Sequence, residues 1–247
     1  MDVALVPAAG RGTRLGRIGA ALPKALVPIG GRPAIDHIFE MLRQAGISRV
    51  FLVVGYKKEQ LISYVDDGSD FGLKVAYITQ PDQKGIADAL LHADSFIHDE
   101  FLCLLGDTLL LPKDSLKHLV EFHTNRKPVA TLLVTHVDDV RGYGIIDPYG
   151  EEVRRVIEKP QSAEQAPSKL AMVGCYAFSQ KIFDAARHTT ANPRTGEIEL
   201  TDALQKLIES GGRVCYLKFE GTYIDTGKLE NDSTVAHFEK TEMKLTR

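Results

Sequence analysis

Short apolar runs and helical patterns alternate along the first half of the chain. Four runs rich in Val, Leu, Ile or Phe have the length of buried strands: 2–7, 49–54, 73–79 and 101–105. Between them, the spacing of apolar residues predicts helices over 35–46, 57–65 and 84–96. Alternation of strand and helix is typical of α/β proteins whose strands form a parallel sheet. We therefore predict an α/β fold with a doubly wound, mostly parallel, Rossmann-like sheet that has helices on both faces.

The pattern changes in the second half, where short strands replace the strand–helix unit. The runs 142–147 and 152–157 flank a turn at Asp147–Pro148–Tyr149–Gly150 and predict a hairpin. Further strands are predicted over 128–137, 169–178, 214–219 and 223–225, and further helices over 113–123, 180–186 and 229–240. These patterns predict a single domain over 1–247. It comprises a first half over 1–135, a small β-rich subdomain over 136–200, and a closing strand and C-terminal helix over 201–247.

Composition narrows the class of partner. The 247 residues carry a formal net charge of −3 and no long run of Lys or Arg, which disfavours nucleic acid as a partner. No apolar run approaches the roughly 20 residues of a membrane span, and the N-terminus has no pattern of a secretion signal. The three cysteines lie in apolar strand-like runs without a CxxC pair, as reduced thiols do. We expect a cytoplasmic protein that does not bind a membrane.

The loop after the first strand carries the strongest chemical signal. Residues 8–14 read Ala-Ala-Gly-Arg-Gly-Thr-Arg, and Lys24 follows Pro23 further along. Small residues let backbone N–H groups approach a phosphate chain, and the arginines and lysine supply matching charge. The third glycine of a dinucleotide-binding fingerprint is replaced by Leu15, and the Gly-Lys-Ser/Thr of a P-loop is absent. The loop therefore favours a triphosphate site of another kind over a bland surface turn.

This stretch resembles the loop of the sugar-phosphate nucleotidyltransferases, close to the glucose-1-phosphate thymidylyltransferases. Their pattern is roughly Gly-Gly-x-Gly-Thr-Arg-Leu, followed about eight residues later by Pro-Lys or Ser-Lys. Ala9 stands at the first family glycine and Arg17 at a usual proline. The resemblance implies that the nucleotide phosphates meet this loop, that Arg14 stabilises leaving pyrophosphate, and that Lys24 bridges the α-phosphate and the sugar phosphate. The implied loop residues are Ala8, Ala9, Gly10, Gly12, Thr13 and Arg14.

Two further segments follow predicted strands. From its chemistry alone, Gln80 either reads the amide edge of a pyrimidine or belongs to a capped helix start. Asp107, after Gly106 at a strand end, is either a ligand for a hard cation or a plain turn residue. The family carries a similar Gln-Pro-x-x-x-Gly-x-Ala, in which the glutamine and the glycine backbone hold the base. The resemblance thus implies that Gln80 and Gly85 bind the base and that Asp107 binds nucleotide and Mg²⁺.

The second half resembles the same family, so the likeness spans nearly the whole chain. It implies that 1–135 binds the nucleotide and 136–200 the sugar. The motifs are Tyr143–Gly144, Glu158–Lys159–Pro160, Val173–Gly174–Cys175–Tyr176, Gly196–Glu197–Ile198–Glu199–Leu200–Thr201–Asp202 and Ile224–Asp225–Thr226–Gly227. By resemblance, the sugar-phosphate ligands are Gly144, Glu158, Lys159, Gly174, Tyr176 and Glu197. Asp225 completes the metal site with Asp107.

The implied activity is transfer of a nucleotidyl group from dTTP or UTP to a sugar-1-phosphate, with glucose-1-phosphate as the expected acceptor. Arg14, Lys24 and Asp107 are the expected catalytic residues, Mg²⁺ is the expected cofactor, and a homo-oligomer is compatible with the resemblance. Three alternatives stay open: a CTP-dependent enzyme, an enzyme acting on a non-sugar phosphate, and a sugar-nucleotide sensor without turnover. A nicotinamide-dependent oxidoreductase is disfavoured by Leu15.

Overall fold

The computed structural model describes residues 1–12, 19 and 21–228. Its strands are β1 (Val3–Pro7), β2 (Pro28–Ile29), β3 (Arg32–Pro33), β4 (Arg49–Val54), β5 (Lys74–Thr79), β6 (Phe101–Leu104), β7 (Thr108–Leu111), β8 (Ala130–His136), β9 (Gly144–Tyr149), β10 (Glu152–Glu158), β11 (Leu170–Phe178), β12 (Val214–Lys218) and β13 (Thr222–Asp225). Its described helices of a full turn or more are α1 (Ala34–Gln44), α2 (Lys58–Val65), α3 (Ile86–Leu91), α4 (Ser115–Arg126), α5 (Lys181–Arg187) and α6 (Leu200–Glu209). The helix predicted over 229–240 lies outside the described residues.

The chain divides into two compact units that interleave in sequence. One, here called the N-unit, comprises Asp2–Asp82, Leu104–His118 and the segment from Gly221 onward. The other, the M-unit, comprises Gln83–Cys103 and Leu119–Glu220 together with Met1. The predicted division at 135 and 200 stays a prediction.

The N-unit is built on a parallel arrangement of β1, β4 and β5. Val3 pairs with Arg49 at one end of β1 and β4, and Arg49 pairs in turn with Lys74 on β5. The interior of β1 is buried, as expected for an apolar run inside a parallel sheet. Helix α1 connects β3 to β4 and buries the residues whose spacing predicted it, including Ile35, Ile38 and Phe39.

The M-unit contains a mixed sheet. Its strand order is β6, β11, β8, β12, β10, β9, and β9 also pairs with β11. Strand β12 runs parallel to β8, whereas the pairs β11–β8, β10–β12 and β9–β10 are antiparallel. Three buried aromatic rings tie strand and helix together, because Phe101 stacks on Phe183 at 5.2 Å and meets Phe178 edge-on at 5.8 Å.

The predicted α/β class is confirmed, and the strands of the M-unit form a mixed sheet. Parallel pairing holds for β1, β4 and β5, and the predicted hairpin is present as β9 and β10. The hairpin turn comes later than predicted, since β9 runs to Tyr149 and the reversal falls at Gly150 and Glu151. The three cysteines lie buried and free in β6, β11 and β12.

Two local predictions were wrong. The helix predicted over 84–96 is confined to α3. Gly85 has a φ of +105°, which a right-handed helix does not allow, and the chain after Leu91 closes in turns such as the one from the Ala93 N–H to Leu90 O at 2.8 Å. Strand β7 was not predicted; it pairs with β13, whose residues come far later in the sequence. In the described part of the chain, no helix is long and apolar enough to cross a membrane.

Candidate active site

The small-residue loop after β1 packs closely against the end of β4. The Ala8 N–H donates to Val53 O at 2.8 Å, and the Tyr56 N–H donates to Ala9 O at 3.1 Å. A Cβ added to Gly55 would lie 2.8 Å from the Ala9 Cβ, so this approach requires glycine. The loop continues through exposed Gly10 and buried Gly12, which has φ +61°. Thr13 and Arg14 lie outside the described residues.

Gln80 lies next to the same glycine. Its N–H donates to Val54 O at 2.9 Å, and its own carbonyl would lie 3.0 Å from a Cβ on Gly55. Gln80 is only 3% exposed, which fixes its side chain within the N-unit. Parallel strands end at the same edge of a sheet, so the ends of β1, β4 and β5 bring Ala9 and Gln80 together around Gly55.

Lys24 and the two predicted metal ligands converge in the N-unit. The Lys24 Nζ lies 3.0 Å from Asp107 Oδ2, and both side chains are one quarter exposed. A Cβ on Gly227 would lie 2.6 Å from Lys24 Nζ and 3.0 Å from Asp225 Oδ1. Both the ammonium and the second carboxylate therefore border the same glycine.

Backbone contacts hold the two aspartates in place. The Gly106 N–H donates to Pro7 O at 2.9 Å, and a Cβ on Gly106 would lie 2.8 Å from the Ala8 Cβ. On the other side, the Thr226 N–H donates to Asp107 O at 2.8 Å, and the Gly227 N–H donates to Asp225 Oδ1 at 2.8 Å. Asp107 is thus fixed from two directions, by β1 and by the chain that leaves β13.

The carboxylates of Asp107 and Asp225 fit a magnesium site that is completed by phosphate oxygens and water. Among the described residues, no group of three or more His, Cys, Asp or Glu side chains could cage a metal. Two carboxylates that border one point are, however, the usual protein share of a Mg²⁺ site whose remaining ligands are phosphate oxygens and water. The Lys24 ammonium lies against the Asp107 carboxylate, so the negative potential at this carboxylate attracts a cation.

The M-unit gathers the predicted sugar-phosphate residues Gly144, Glu158 and Lys159. The Lys159 Nζ lies 2.6 Å from Glu158 Oε1, and the Thr201 hydroxyl donates to Glu158 Oε2 at 3.0 Å. A Cβ on Gly144 would meet the side chains of Met172 and Thr201 at 2.5 and 2.8 Å and would lie 3.6 Å from Glu158 Oε2. The backbone of Gly144 therefore runs beside the Glu158 carboxylate, which is a geometry suited to reading adjacent hydroxyl groups.

Gly174 and Tyr176 lie in the middle of β11. Gly174 has φ +75°, and the register of β11 against β8 shifts between Met172 and Tyr176. Such a bulge turns the backbone out of the regular ladder. Tyr176 is 3% exposed and stacks on Phe178 at 5.5 Å, and burial raises the pKa of its hydroxyl well above the usual value. The bulge thus lies beside a tyrosine ring that belongs to the core.

The loop at Gly85 is joined to the segment around Ile198. The Ile198 N–H donates to Lys84 O at 2.7 Å, and the Ala87 N–H donates to Ile198 O at 3.1 Å. A Cβ on Gly85 would lie 2.4 Å from Ile198 O, at a φ of +105°. Two sequence motifs that are more than a hundred residues apart are therefore one structural feature of the M-unit.

The two glutamates that flank Ile198 have opposite environments. Glu197, the predicted sugar-phosphate ligand, is exposed, and its backbone N–H donates to the Thr195 hydroxyl oxygen at 3.3 Å. Glu199 is 4% exposed and its Oε1 lies 3.8 Å from Lys159 Nζ. Burial raises the pKa of Glu199, and the charge of Glu158 adds to this, while Lys159 opposes it.

Sequence reasoning did not single out Gly55, Thr201 or Glu199 as site residues. Gly55 follows the apolar run of β4 directly, which is a signal for a tight strand exit. Thr201 and Glu199 lie in a quoted motif, but their spacing alone does not reveal which side chain turns inward. That choice depends on how α6 packs against β10.

Comparison with known proteins places these features in a family. The family model described as nucleotidyl transferase matches residues 3–242. The chain is 36% identical over 232 residues to the UTP–glucose-1-phosphate uridylyltransferase AglF of Haloferax volcanii, covering 92% of each chain. It is 38% identical over 230 residues to the glucose-1-phosphate thymidylyltransferase of Streptomyces griseus, covering 92% of this chain and 62% of that protein.

Similarity of structure extends over the whole chain. A crystal structure of UDP-glucose pyrophosphorylase complexed with UDP-glucose matches with a TM-score of 0.88 and 26% identity, covering 99% of each chain. The chain spans only 51 to 63% of the length of several other curated relatives. Because the family model covers nearly all of the sequence, the chain belongs to the nucleotidyl transferase family.

Proposed function

We propose that this chain transfers a nucleotidyl group from an NTP, dTTP or UTP, to a sugar-1-phosphate, with glucose-1-phosphate as the preferred acceptor. The products are an NDP-sugar and pyrophosphate. The observation that carries the proposal is the convergence of Lys24, Asp107 and Asp225 at the strand ends of the N-unit. The names of the relatives support the substrate class, since two of them are uridylyl- and thymidylyltransferases for glucose-1-phosphate.

The nucleotide is assigned to the N-unit. Backbone N–H groups of the loop from Ala8 to Gly12 hold the phosphates, with Thr13 and Arg14 on the same loop. Gln80 holds the base. A buried primary amide beside a strand end offers one acceptor and two donors, which match the amide edge of uracil or thymine.

The metal is assigned to Asp107 and Asp225. A bound Mg²⁺ would supply charge neutralisation on the phosphates. Lys24, which now pairs with Asp107, turns its ammonium to the α-phosphate and to the incoming sugar phosphate when substrates are bound.

The sugar phosphate is assigned to the M-unit. Lys159 binds its phosphate, and Glu158 accepts hydrogen bonds from sugar hydroxyl groups beside the backbone of Gly144. Gly174, Tyr176 and Glu197 complete the proposed set. The pKa of Lys159 supports a permanent cation, because burial by itself would lower it but the hydrogen bond and charge of Glu158 and the charge of Glu199 raise it.

In the reaction, an oxygen of the sugar phosphate attacks the α-phosphorus of the NTP and the bond to the β-phosphate breaks. The attacking oxygen is already ionised near neutral pH, so no side-chain nucleophile and no general base are required. Two anions must be brought into contact, and the chain contributes positioning and positive charge through Lys24, Lys159 and Arg14.

A substrate matrix tests the proposal. The full-length protein is mixed with Mg²⁺, one of UTP, dTTP, CTP or ATP, and one of a panel of hexose-1-phosphates or phosphocholine, and pyrophosphate release is measured. We expect release with UTP or dTTP and glucose-1-phosphate. Release only with CTP or only with phosphocholine would replace the assigned substrates, and no release with any pair would favour a sensor of sugar nucleotides.

Two finer features accompany the proposal. The doubly wound, Rossmann-like arrangement with helices on both faces is the fold we infer from the parallel β1, β4 and β5 and their connecting helices. A cytoplasmic location fits three free, buried cysteines.

A further inference from the structure

The ammonium group of Lys159 is positioned by two carboxylates of unequal character. Glu158 Oε1 lies 2.6 Å away, and Glu199 Oε1 lies 3.8 Å away. The Glu158 side chain keeps some contact with solvent at 11%, whereas that of Glu199 is 6% exposed and that of Lys159 is 37% exposed. The lysine therefore reaches solvent on one side and faces a buried negative charge on the other.

The backbone of Lys159 is held in an uncommon conformation. Its φ is +45°, a value that residues with a side chain rarely adopt. The Lys159 N–H donates to Tyr143 O at 2.9 Å, and this bond anchors the residue to the start of the β9–β10 hairpin. The direction in which the side chain leaves the backbone is thus fixed, and only its outer part adjusts.

Besides Lys159, the Thr195 side chain contacts the Glu199 carboxylate through a hydrogen bond that acts to lower its pKa, against the effect of burial. Glu199 is the N-cap residue of α6, yet its side chain makes no capping hydrogen bond to the helix. Its Oε1 has no hydrogen-bond partner among the described residues, although a buried carboxylate oxygen normally has one. A buried carboxylate is costly to keep, so its presence beside Lys159 calls for a functional reason.

We propose that Glu199 is a positioning residue that fixes the Lys159 ammonium for the sugar phosphate, an inference that rests on the proposed function. In the structure Lys159 hydrogen-bonds to Glu158, the residue assigned to the sugar hydroxyls. Once those hydroxyls occupy the Glu158 carboxylate, Glu199 keeps the ammonium in place from its buried side. Glu199 touches no substrate and acts only through Lys159.

A double-mutant cycle tests this mode of action. Glu199→Gln keeps the shape and removes the charge, and Lys159→Met keeps most of the shape and removes the ammonium. We expect Glu199→Gln to raise the KM for the sugar-1-phosphate about tenfold, the scale of one charge-assisted contact, and to leave the KM for the NTP within about twofold. In the Lys159→Met protein, the same change should alter the KM for the sugar phosphate by less than about twofold.

Two controls separate this role from a structural one. Glu209→Gln removes an exposed carboxylate from the same helix and should leave both KM values unchanged. Glu199→Asp retains the charge and should recover part of the affinity that Glu199→Gln loses. An equal effect of Glu199→Gln in both backgrounds, or no effect in the unaltered background, would overturn the inference.

Direct binding distinguishes failure of the inference from failure of the proposed function. Calorimetric titration with glucose-1-phosphate, in the presence of α,β-methylene analogues of UTP and dTTP, measures the sugar-phosphate site without turnover. If the unaltered protein binds but releases no pyrophosphate, the transfer activity is refuted while the Kd values of the four proteins still decide the role of Glu199. If the unaltered protein binds no sugar phosphate under any condition, both are refuted.

Discussion

The ammonium nitrogen of Lys24 lies 3.0 Å from Oδ2 of Asp107, and a short helical turn and a strand end separated by more than eighty residues bring the two together. Asp107 is held by its neighbours through the backbone, whereas Lys24 reaches it with a flexible side chain. The pair therefore joins a carboxylate that its neighbours hold through the backbone to a cation at the end of a long side chain. Under the proposed function, substrate phosphates would compete for that cation, and a divalent ion would replace it on the carboxylate.

Removing the Lys24 ammonium should impair turnover far more than folding. We expect Lys24→Ala to lower kcat by about 10²–10³, the typical loss of a group that stabilises charge in the transition state. Steady-state pyrophosphate release measures it, with Lys117→Ala, an exposed lysine of α4 in the same unit, as the matched control. Turnover at the unaltered rate in Lys24→Ala would show that the assigned role is wrong.

The two aspartates should govern the metal requirement. We expect Asp107→Asn and Asp225→Asn each to raise the Mg²⁺ concentration that gives half-maximal activity, because an amide oxygen is a weaker ligand for a hard cation than a carboxylate. Asp114→Asn, at an exposed position in the same segment, is the control. An unchanged Mg²⁺ titration in either variant would remove that residue from the metal site.

Substitution of Gln80 should weaken the binding of the nucleotide and leave the binding of the sugar-1-phosphate unchanged. We expect Gln80→Ala to raise the KM for the NTP about tenfold, since one or two hydrogen bonds to the base are lost. The KM for the sugar-1-phosphate should stay within about twofold, and Gln60→Ala, an exposed residue of α2, should change neither value. A rise in the acceptor KM alone would contradict the assignment of Gln80 to the base.

Gly85 should contribute to stability through its close contact with Ile198. We expect Gly85→Ala to lower the free energy of unfolding by about 1–3 kcal/mol more than Gly31→Ala. Both glycines have positive φ, but a Cβ at Gly31 meets nothing within 4 Å, whereas one at Gly85 would lie 2.4 Å from Ile198 O. Denaturant unfolding followed by circular dichroism measures both, and equal losses would show that the contact with Ile198 is not the cause.

The burial of Glu199 should be visible in the pH dependence of stability. Because burial raises its pKa above the ordinary value of 4.5, its contribution to stability is fully present below that pH and is lost as the pH rises through the folded pKa. Glu199→Gln resembles the protonated form at every pH. We therefore expect the difference in Tm, variant minus unaltered protein, to become more positive from pH 4.5 to pH 7. The other ionisable groups around it, Glu158, Lys159 and Glu197, are present in both proteins, and a difference that stays constant would contradict the prediction.

Individual strands show which parts of the fold could be predicted from the sequence. The strands β1, β4 and β5 were predicted within a residue or two, because buried parallel strands are near-continuous apolar runs that need no partner to be recognised. The hairpin of β9 and β10 was predicted for a similar reason, since a turn sequence separates its two short runs. Strand β7 was missed because its partner β13 comes from the other end of the chain.

The sequence by itself determined the α/β class and the small-residue loop after β1, and its resemblance to a family singled out Lys24, Asp107, Asp225, Glu158 and Lys159 as candidate site residues. These depend on local patterns, and a local pattern is complete within a few residues. Only the tertiary structure decided that Lys24 forms an ion pair with Asp107 and that the backbone of Ile198 packs against Gly85. It also decided that Glu199 rather than Glu197 is buried beside Lys159. Those relationships join segments distant in sequence, and their geometry is set by packing and burial, which no single stretch of residues contains.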